Sequence, residues 1–140
     1  RALDCEIVLP TDVVVSKSFG PNSSNRICDV SDIQKGEMLL DVGPSTSILF
    51  KDVLSATASA LWNGPMGVYE WPQYLKGTKT VAESLSREDI TSVIGGGSTV
   101  DAVSSLGLEA RMDHVSTGGG ASLEFLEGRD LPGIMSLMDV

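Results

Sequence analysis

Three glycine-dense turns, each placed directly after a short apolar run, constrain this chain more than any other feature. They are Leu61-Trp62-Asn63-Gly64-Pro65-Met66-Gly67-Val68-Tyr69-Glu70, Gly95-Gly96-Gly97-Ser98-Thr99, and Ser116-Thr117-Gly118-Gly119-Gly120-Ala121-Ser122-Leu123-Glu124. Glycine weakens the interior of a helix or strand by roughly 0.5–1 kcal/mol relative to alanine. Repeated clusters therefore mark places where the backbone turns sharply or must approach something closely. An apolar run, then glycine, then a helical pattern reads as a strand-to-helix turn.

The rest of the pattern alternates in the same way. Asp12-Val13-Val14-Val15 reads as a strand, and the stretch from Gly20 to Asn25 as a loop. Met38-Leu39-Leu40-Asp41-Val42 predicts a second strand closed by Gly43-Pro44. Ser45 is placed to cap a helix with Ile48, Leu49 and Val53 on its inner face. A third strand spans about Ala58 to Trp62. A helix is expected over 72–86, with Pro72 in its first turn and Leu75, Thr78, Val81, Ala82 and Leu85 facing inward. Thr91–Ile94 and His114–Ser116 predict two further strands. Ser98 or Thr99 begins a helix with Val100, Val103 and Leu106 inward, ending at Gly107. A last helix carries Leu123 and Leu126, and the apolar tail (Leu131, Ile134, Met135, Leu137, Met138) is expected to dock on the body.

Apolar strands separated by helices imply an α/β fold, a partial Rossmann-like, mainly parallel sheet with helices on both faces. All three glycine turns then fall at the carboxyl ends of strands, where open α/β sheets bind their ligands.

The 140 residues suffice for one core and not comfortably for two, with 41% hydrophobic and 21% charged residues. A net charge of −9, spread over both halves, argues against nucleic acid or an anionic membrane as partner. No apolar run approaches the roughly 18 residues of a membrane span, and no signal-peptide pattern opens the chain. Localisation stays open between cytoplasm and an organelle, plastid or mitochondrion, after transit-peptide removal, which a first residue of Arg1 favours. Cys5 and Cys28 lack metal-ligand spacing and read as free or buried thiols.

Gly95-Gly96-Gly97 before Ser98 and Thr99 lets a phosphate reach a helix's first N–H groups, which lack intrahelical partners. Gly118-Gly119-Gly120 offers the same. Neither contains the lysine of a P-loop. Such turns also serve purely structural ends, and it is the pair on one edge that points to phosphate. Asn63 and Glu70 flank a turn from which an amide can meet phosphate and a carboxylate a ribose diol. His114, without a second histidine or a cysteine nearby, reads as a hydrogen-bonded residue at a strand start.

Together these motifs resemble the C-terminal, nucleotide-binding domain of phosphoglycerate kinase. Trp62 through Glu70, Lys76-Gly77-Thr78, Ile94 through Gly97, His114 through Glu124 and Leu126-Glu127-Gly128-Arg129-Asp130-Leu131-Pro132-Gly133 stand in that family's order and spacing. Leu9-Pro10-Thr11-Asp12 and Asp41-Val42-Gly43-Pro44 fit as well. The resemblance implies one truncated C-terminal domain over residues 1–140, without the N-terminal substrate domain. It implies phosphate contacts from Asn63, Gly95, Gly96, Gly97 and Thr99, a ribose contact from Glu70, and a place for the transferring group at Gly119 and Gly120.

The departures are equally specific. Ser98 stands where the family has the aspartate that contacts Mg²⁺, and a neutral hydroxyl is a poorer ligand for a hard dication. Leu39 stands where a glycine lies against the adenine, and Glu37 where tryptophan is usual. Ser16-Lys17-Ser18-Phe19 replaces the family's Ala-Asp-Lys-Phe. The expectation is a catalytically inactive remnant serving as an accessory or structural subunit, with no cofactor and a protein partner over an exposed sheet edge. The alternatives are part of an active phosphoglycerate kinase, using Mg·ATP or Mg·ADP and 3-phosphoglycerate, and a sensor of a phosphorylated metabolite.

Overall fold

The computed structural model describes residues 5–138, Met138 by its backbone alone. Arg1 and the side chain of Met138, both given roles above, lie outside the described residues. The chain divides into two compact units. One comprises residues up to Thr57 with Met66–Ser84, the other Ala58–Pro65 with the residues from Leu85 onward.

The first unit is built on an antiparallel sheet of order β2-β1-β3, from β1 (Asp12–Ser16), β2 (Asn25–Asp29) and β3 (Met38–Val42). Alternation along β1 buries Val13 and Val15, which cluster with Cys28 of β2 and with Ile33. The sequence reading places no strand at β2 and expects mainly parallel pairing. Only Cys28 of that strand is buried, so no apolar run announces it. It is held instead by its ladder with β1 and by Arg26, whose Nε and Nη2 donate to Glu37 at 2.8 and 2.7 Å. The Arg26 guanidinium, with a further hydrogen bond from the Gln34 N–H, holds the Glu37 carboxyl at about 2. Glu37, read from the sequence as a departure from the resembling family, thus has a structural partner of its own.

Helix α1 (Pro44–Ser55) is capped differently from the expectation for Ser45. The carboxylate of Asp12 accepts the N–H groups of Ser45 and Thr46, at 3.0 and 2.7 Å. The Thr46 hydroxyl donates to Asp12 and accepts the N–H groups of Thr11 and Asp12 at 3.0 Å. Burial pushes the Asp12 carboxyl up, but the hydrogen bonds from Thr46 and Ser45 outweigh it and leave it below its ordinary value. This polar anchor turns Thr46 and Ser47 inward, and Ile48 and Val53, expected inside, stand 61% and 44% exposed. Asp12→Ala removes the cap and is expected to cost about 1 kcal/mol, read as a lower urea midpoint at unchanged slope.

Pro72–Tyr74 forms a 3-10 turn before helix α2 (Lys76–Leu85), which buries Thr78, Val81, Ala82 and Leu85 as the periodicity predicts. Tyr74 is fully buried, its hydroxyl 2.7 Å from that of Ser23. Asp41 of β3 is 4% exposed and accepts N–H groups from Gly77 at the start of α2 (3.0 Å) and from Val42 (2.9 Å).

The second unit carries the expected parallel sheet, of order β4-β5-β6: β4 (Ser59–Asn63), β5 (Thr91–Gly95) and β6 (His114–Ser116). Helix α3 (Gly97–Ser105) packs on β5 and β6 and buries Ala102 and Val103 completely. Helix α4 (Gly119–Leu126) packs on β5. The fold class is α/β as read from sequence, with parallel strands confined to this unit. Asp113 closes the amino end of the sheet by accepting the N–H (2.7 Å) and hydroxyl (3.1 Å) of Ser92.

The apolar tail does not bury itself. It forms α5 (Pro132–Met138), with Ile134 47%, Met135 39% and Leu137 77% exposed. Leu131 and Ile134 instead border an open groove of about 620 Å³, lined further by Leu61, Val93, Phe125 and Leu126. Beside it β4 forms an edge of the sheet, paired on one side only among the described residues.

Candidate functional site

In the second unit the first glycine turn, through its Asn63 and Gly64, meets the other two. The N–H of Gly96 donates to Ser116 O at 2.9 Å, tying the end of β5 to β6. The N–H of Gly64 donates to Thr99 Oγ1 at 2.7 Å, tying the turn after β4 to α3, and Trp62 Nε1 donates to Gly64 O at 2.7 Å. Two glycines make the approach possible. Gly96 has φ +91°, and a Cβ there would lie 2.7 Å from Asn63 Oδ1. A Cβ on Gly119 would lie 2.7 Å from Gly96 Cα, 2.8 Å from Gly96 N and 2.9 Å from Asn63 Oδ1. Only a residue without a side chain lets the two helix starts touch across one amide.

Helices α3 and α4 therefore begin side by side, with glycine N-caps and no side-chain cap on either. The N–H groups of Gly97 and Ser98, and of Gly119, Gly120 and Ala121, lie in first turns that supply no intrahelical acceptor. Both helix dipoles place partial positive charge at this edge. Asn63, Gly97, Ser98, Gly118 and Gly120 are exposed there, whereas Gly95, Gly119 and Thr99 are buried beneath them. The arrangement is a shallow cradle of neutral donors suited to a phosphate group. The start of α4 is fixed by Ser122, whose hydroxyl lies 3.0 Å from that of Ser116 and donates to Gly118 O at 3.1 Å.

Of the residues singled out in the sequence, Asn63, Gly95, Gly96, Gly97, Ser98, Thr99, Gly119 and Gly120 come together here. Thr99 does so as a structural member, its hydroxyl taken by Gly64. Glu70 and Leu39 belong to the first unit. Glu70 is exposed in the turn after Val68. Leu39 is 57% exposed on β3, facing away from the buried Leu40. His114 does stand at a strand start, but its side chain makes no hydrogen bond among the described residues and lines the apolar groove instead.

Asp41 is the one chemically unusual group that the sequence reading left without a role. Burial pushes its carboxyl up to about 6, against hydrogen bonds from the N–H groups of Gly77, Val42 and Lys76 that pull it down. No motif marks it. The signal lies in Gly67 and Gly77, since a Cβ on either would come within 2.5 Å of Asp41 Oδ1.

The Mg²⁺ that accompanies nucleotides in the resembling family does not fit this donor set. Neither α3 nor α4 has an acidic residue in its first turn. Among the described residues no three His, Cys, Asp or Glu side chains group to hold a metal. The cradle offers N–H groups, an amide and a serine hydroxyl but no carboxylate, whereas a protein usually holds Mg²⁺ through one or two carboxylates beside the substrate's phosphates. No helix of the described residues is long and apolar enough to cross a membrane.

Comparison with known proteins agrees with these motifs. The family model described as phosphoglycerate kinase matches residues 1–129. The chain is 46% identical over 139 residues to a phosphoglycerate kinase of Clostridium novyi (strain NT), covering 99% of this chain and 35% of the relative. It is 45% identical over 140 residues to the chloroplastic phosphoglycerate kinase 2 of Arabidopsis thaliana, covering 98% and 29%. The solved phosphoglycerate kinase of Coxiella burnetii superimposes with a TM-score of 0.84 at 35% identity, over 91% of this chain and 33% of that one. That of Pyrococcus horikoshii OT3 gives 0.77 at 28%, over 92% and 32%. The chain thus spans about a third of the length of the relatives it matches.

Proposed function

The chain belongs to the phosphoglycerate kinase family, and on that premise we propose that it is a non-catalytic member, an accessory subunit of a larger protein assembly that retains a phosphate cradle. The observation that carries this reading is Ser98. It is exposed at the start of α3, beside Asn63 and the start of α4, and nothing charged replaces it in either first turn. Phosphoryl transfer relies on positioned positive charge over the transferring group. This cradle supplies dipoles and no site for the cation.

The accessory role rests on the apolar surface around the groove. Phe125, Leu126 and Ile134, which line it with Leu61 of β4, are 63%, 62% and 47% exposed, and β4 is paired on one side only among the described residues. An unpaired strand edge and a contiguous apolar patch are features that a protein partner covers.

A coupled assay of phosphoryl transfer between ATP and 3-phosphoglycerate tests the first half, with no turnover above background expected from the 140-residue chain. Turnover in that assay supports instead the reading as part of an active kinase, which the intact meeting of Asn63, Gly96 and Gly119 favours. Light scattering and thermal unfolding test the second half. A chain that is monomeric, unfolds cooperatively and binds no apolar dye contradicts the accessory role.

A further inference from the structure

We propose that the cradle takes the phosphates of its ligand without a divalent cation, so that free ADP and not its magnesium complex is the bound form. This deepens the reading above and rests on it. The donors at the cradle are the N–H groups that open α3 and α4, the Asn63 amide and the Ser98 hydroxyl, all neutral and all able to serve an anion directly.

The nearest carboxylates along the two helices are set back. Asp101 is the fifth residue of α3, about one turn past Ser98. Glu124 is the sixth residue of α4. The one hydroxyl buried under the cradle, that of Thr99, is already engaged by the Gly64 N–H at 2.7 Å. A magnesium ion on the nucleotide would meet no anionic oxygen of this edge. It would also neutralise the phosphate charge that the two helix dipoles attract.

Titration calorimetry of the 140-residue chain with ADP, once in EDTA and once in excess Mg²⁺, tests the inference. Binding in EDTA that Mg²⁺ leaves equal or weakens is the expected result. The Ser98→Asp variant should bind ADP in EDTA at least about fivefold more weakly than the unaltered chain, by like-charge repulsion, and recover in Mg²⁺. Ser98 is exposed, and a circular dichroism spectrum establishes that the variant folds. Binding by the unaltered chain that appears only with Mg²⁺, or tightens about tenfold with it, overturns the inference and leaves the phosphate cradle standing. Absence of binding in both buffers overturns the cradle and the inference together.

Discussion

Gly119→Ala is expected to destabilise the second unit by about 1–3 kcal/mol, the range for forcing an atom into a packed site without room to relax. The added methyl carbon would meet Gly96 Cα at 2.7 Å and Gly96 N at 2.8 Å, which are backbone atoms and cannot swing aside as a side-chain tip can. Relief requires α4 to move off the end of β5, and that movement separates the two helix starts. Loss of stability and loss of the cradle are therefore one event. The melting midpoint should fall by on the order of 10 °C, and ADP binding should disappear even where the variant is still folded. Gly120→Ala is the control, because a Cβ there meets nothing within 4 Å. Alanine is better than glycine in a helix by up to about 1 kcal/mol, so that variant should melt at the same temperature or higher. Equal midpoints for the two variants would mean that α3 and α4 do not start in contact.

Asp41 gives the second large effect, with a sign opposite to that of most carboxylates. Its folded value is raised to about 6 from 3.8 by burial. Between these two values the folded protein holds a proton that the unfolded chain has released. Stability from this group is therefore fully present below pH 3.8 and is lost as pH rises through 6. Above that, the ionised carboxylate stays buried with backbone N–H groups as partners. Asp41→Asn is neutral at every pH and lacks the dependence. The difference in unfolding free energy between the two proteins should shift by about 2 kcal/mol between pH 7 and pH 4, the parent gaining on the variant as the solution is acidified. Taking the difference cancels Asp12, Asp29, Glu37 and Asp113, whose lowered values push the other way. A difference that is flat with pH would show that Asp41 is solvated.

Much of the second unit is legible in the sequence because its determinants are local. Strand β5 ends in glycine and β4 and β6 each run into one within two residues, the two later glycine clusters open α3 and α4, and Val103 falls on the inner face that the spacing predicts. The candidate site follows from the same signal, since three turns at the carboxyl ends of neighbouring parallel strands must lie on one edge. The contact between Gly119 and Gly96 follows less directly, being set by the order β4-β5-β6, which no local pattern encodes.

The first unit hides more because its order is non-local. Strand β2 owes its place to pairing with β1 and to an arginine bound to Glu37, eleven residues on. The cap of α1 comes from Asp12, more than thirty residues before it, so Ser45 is the obvious candidate in sequence and not the one used. Helix α5 shows a different limit. An apolar run predicts burial, but it cannot say whether the surface that buries it is part of the same chain.

The claim on which the account depends is that the three turns form one phosphate cradle. A titration of the isotope-labelled chain with millimolar ADP in EDTA, followed through its amide resonances, tests it directly. The account predicts that the amide signals of Gly97, Ser98, Gly119 and Gly120 and the side-chain amide of Asn63 move together along one binding curve. Resonances at these positions that stay fixed while others move, or a spectrum unchanged by ADP, would contradict it.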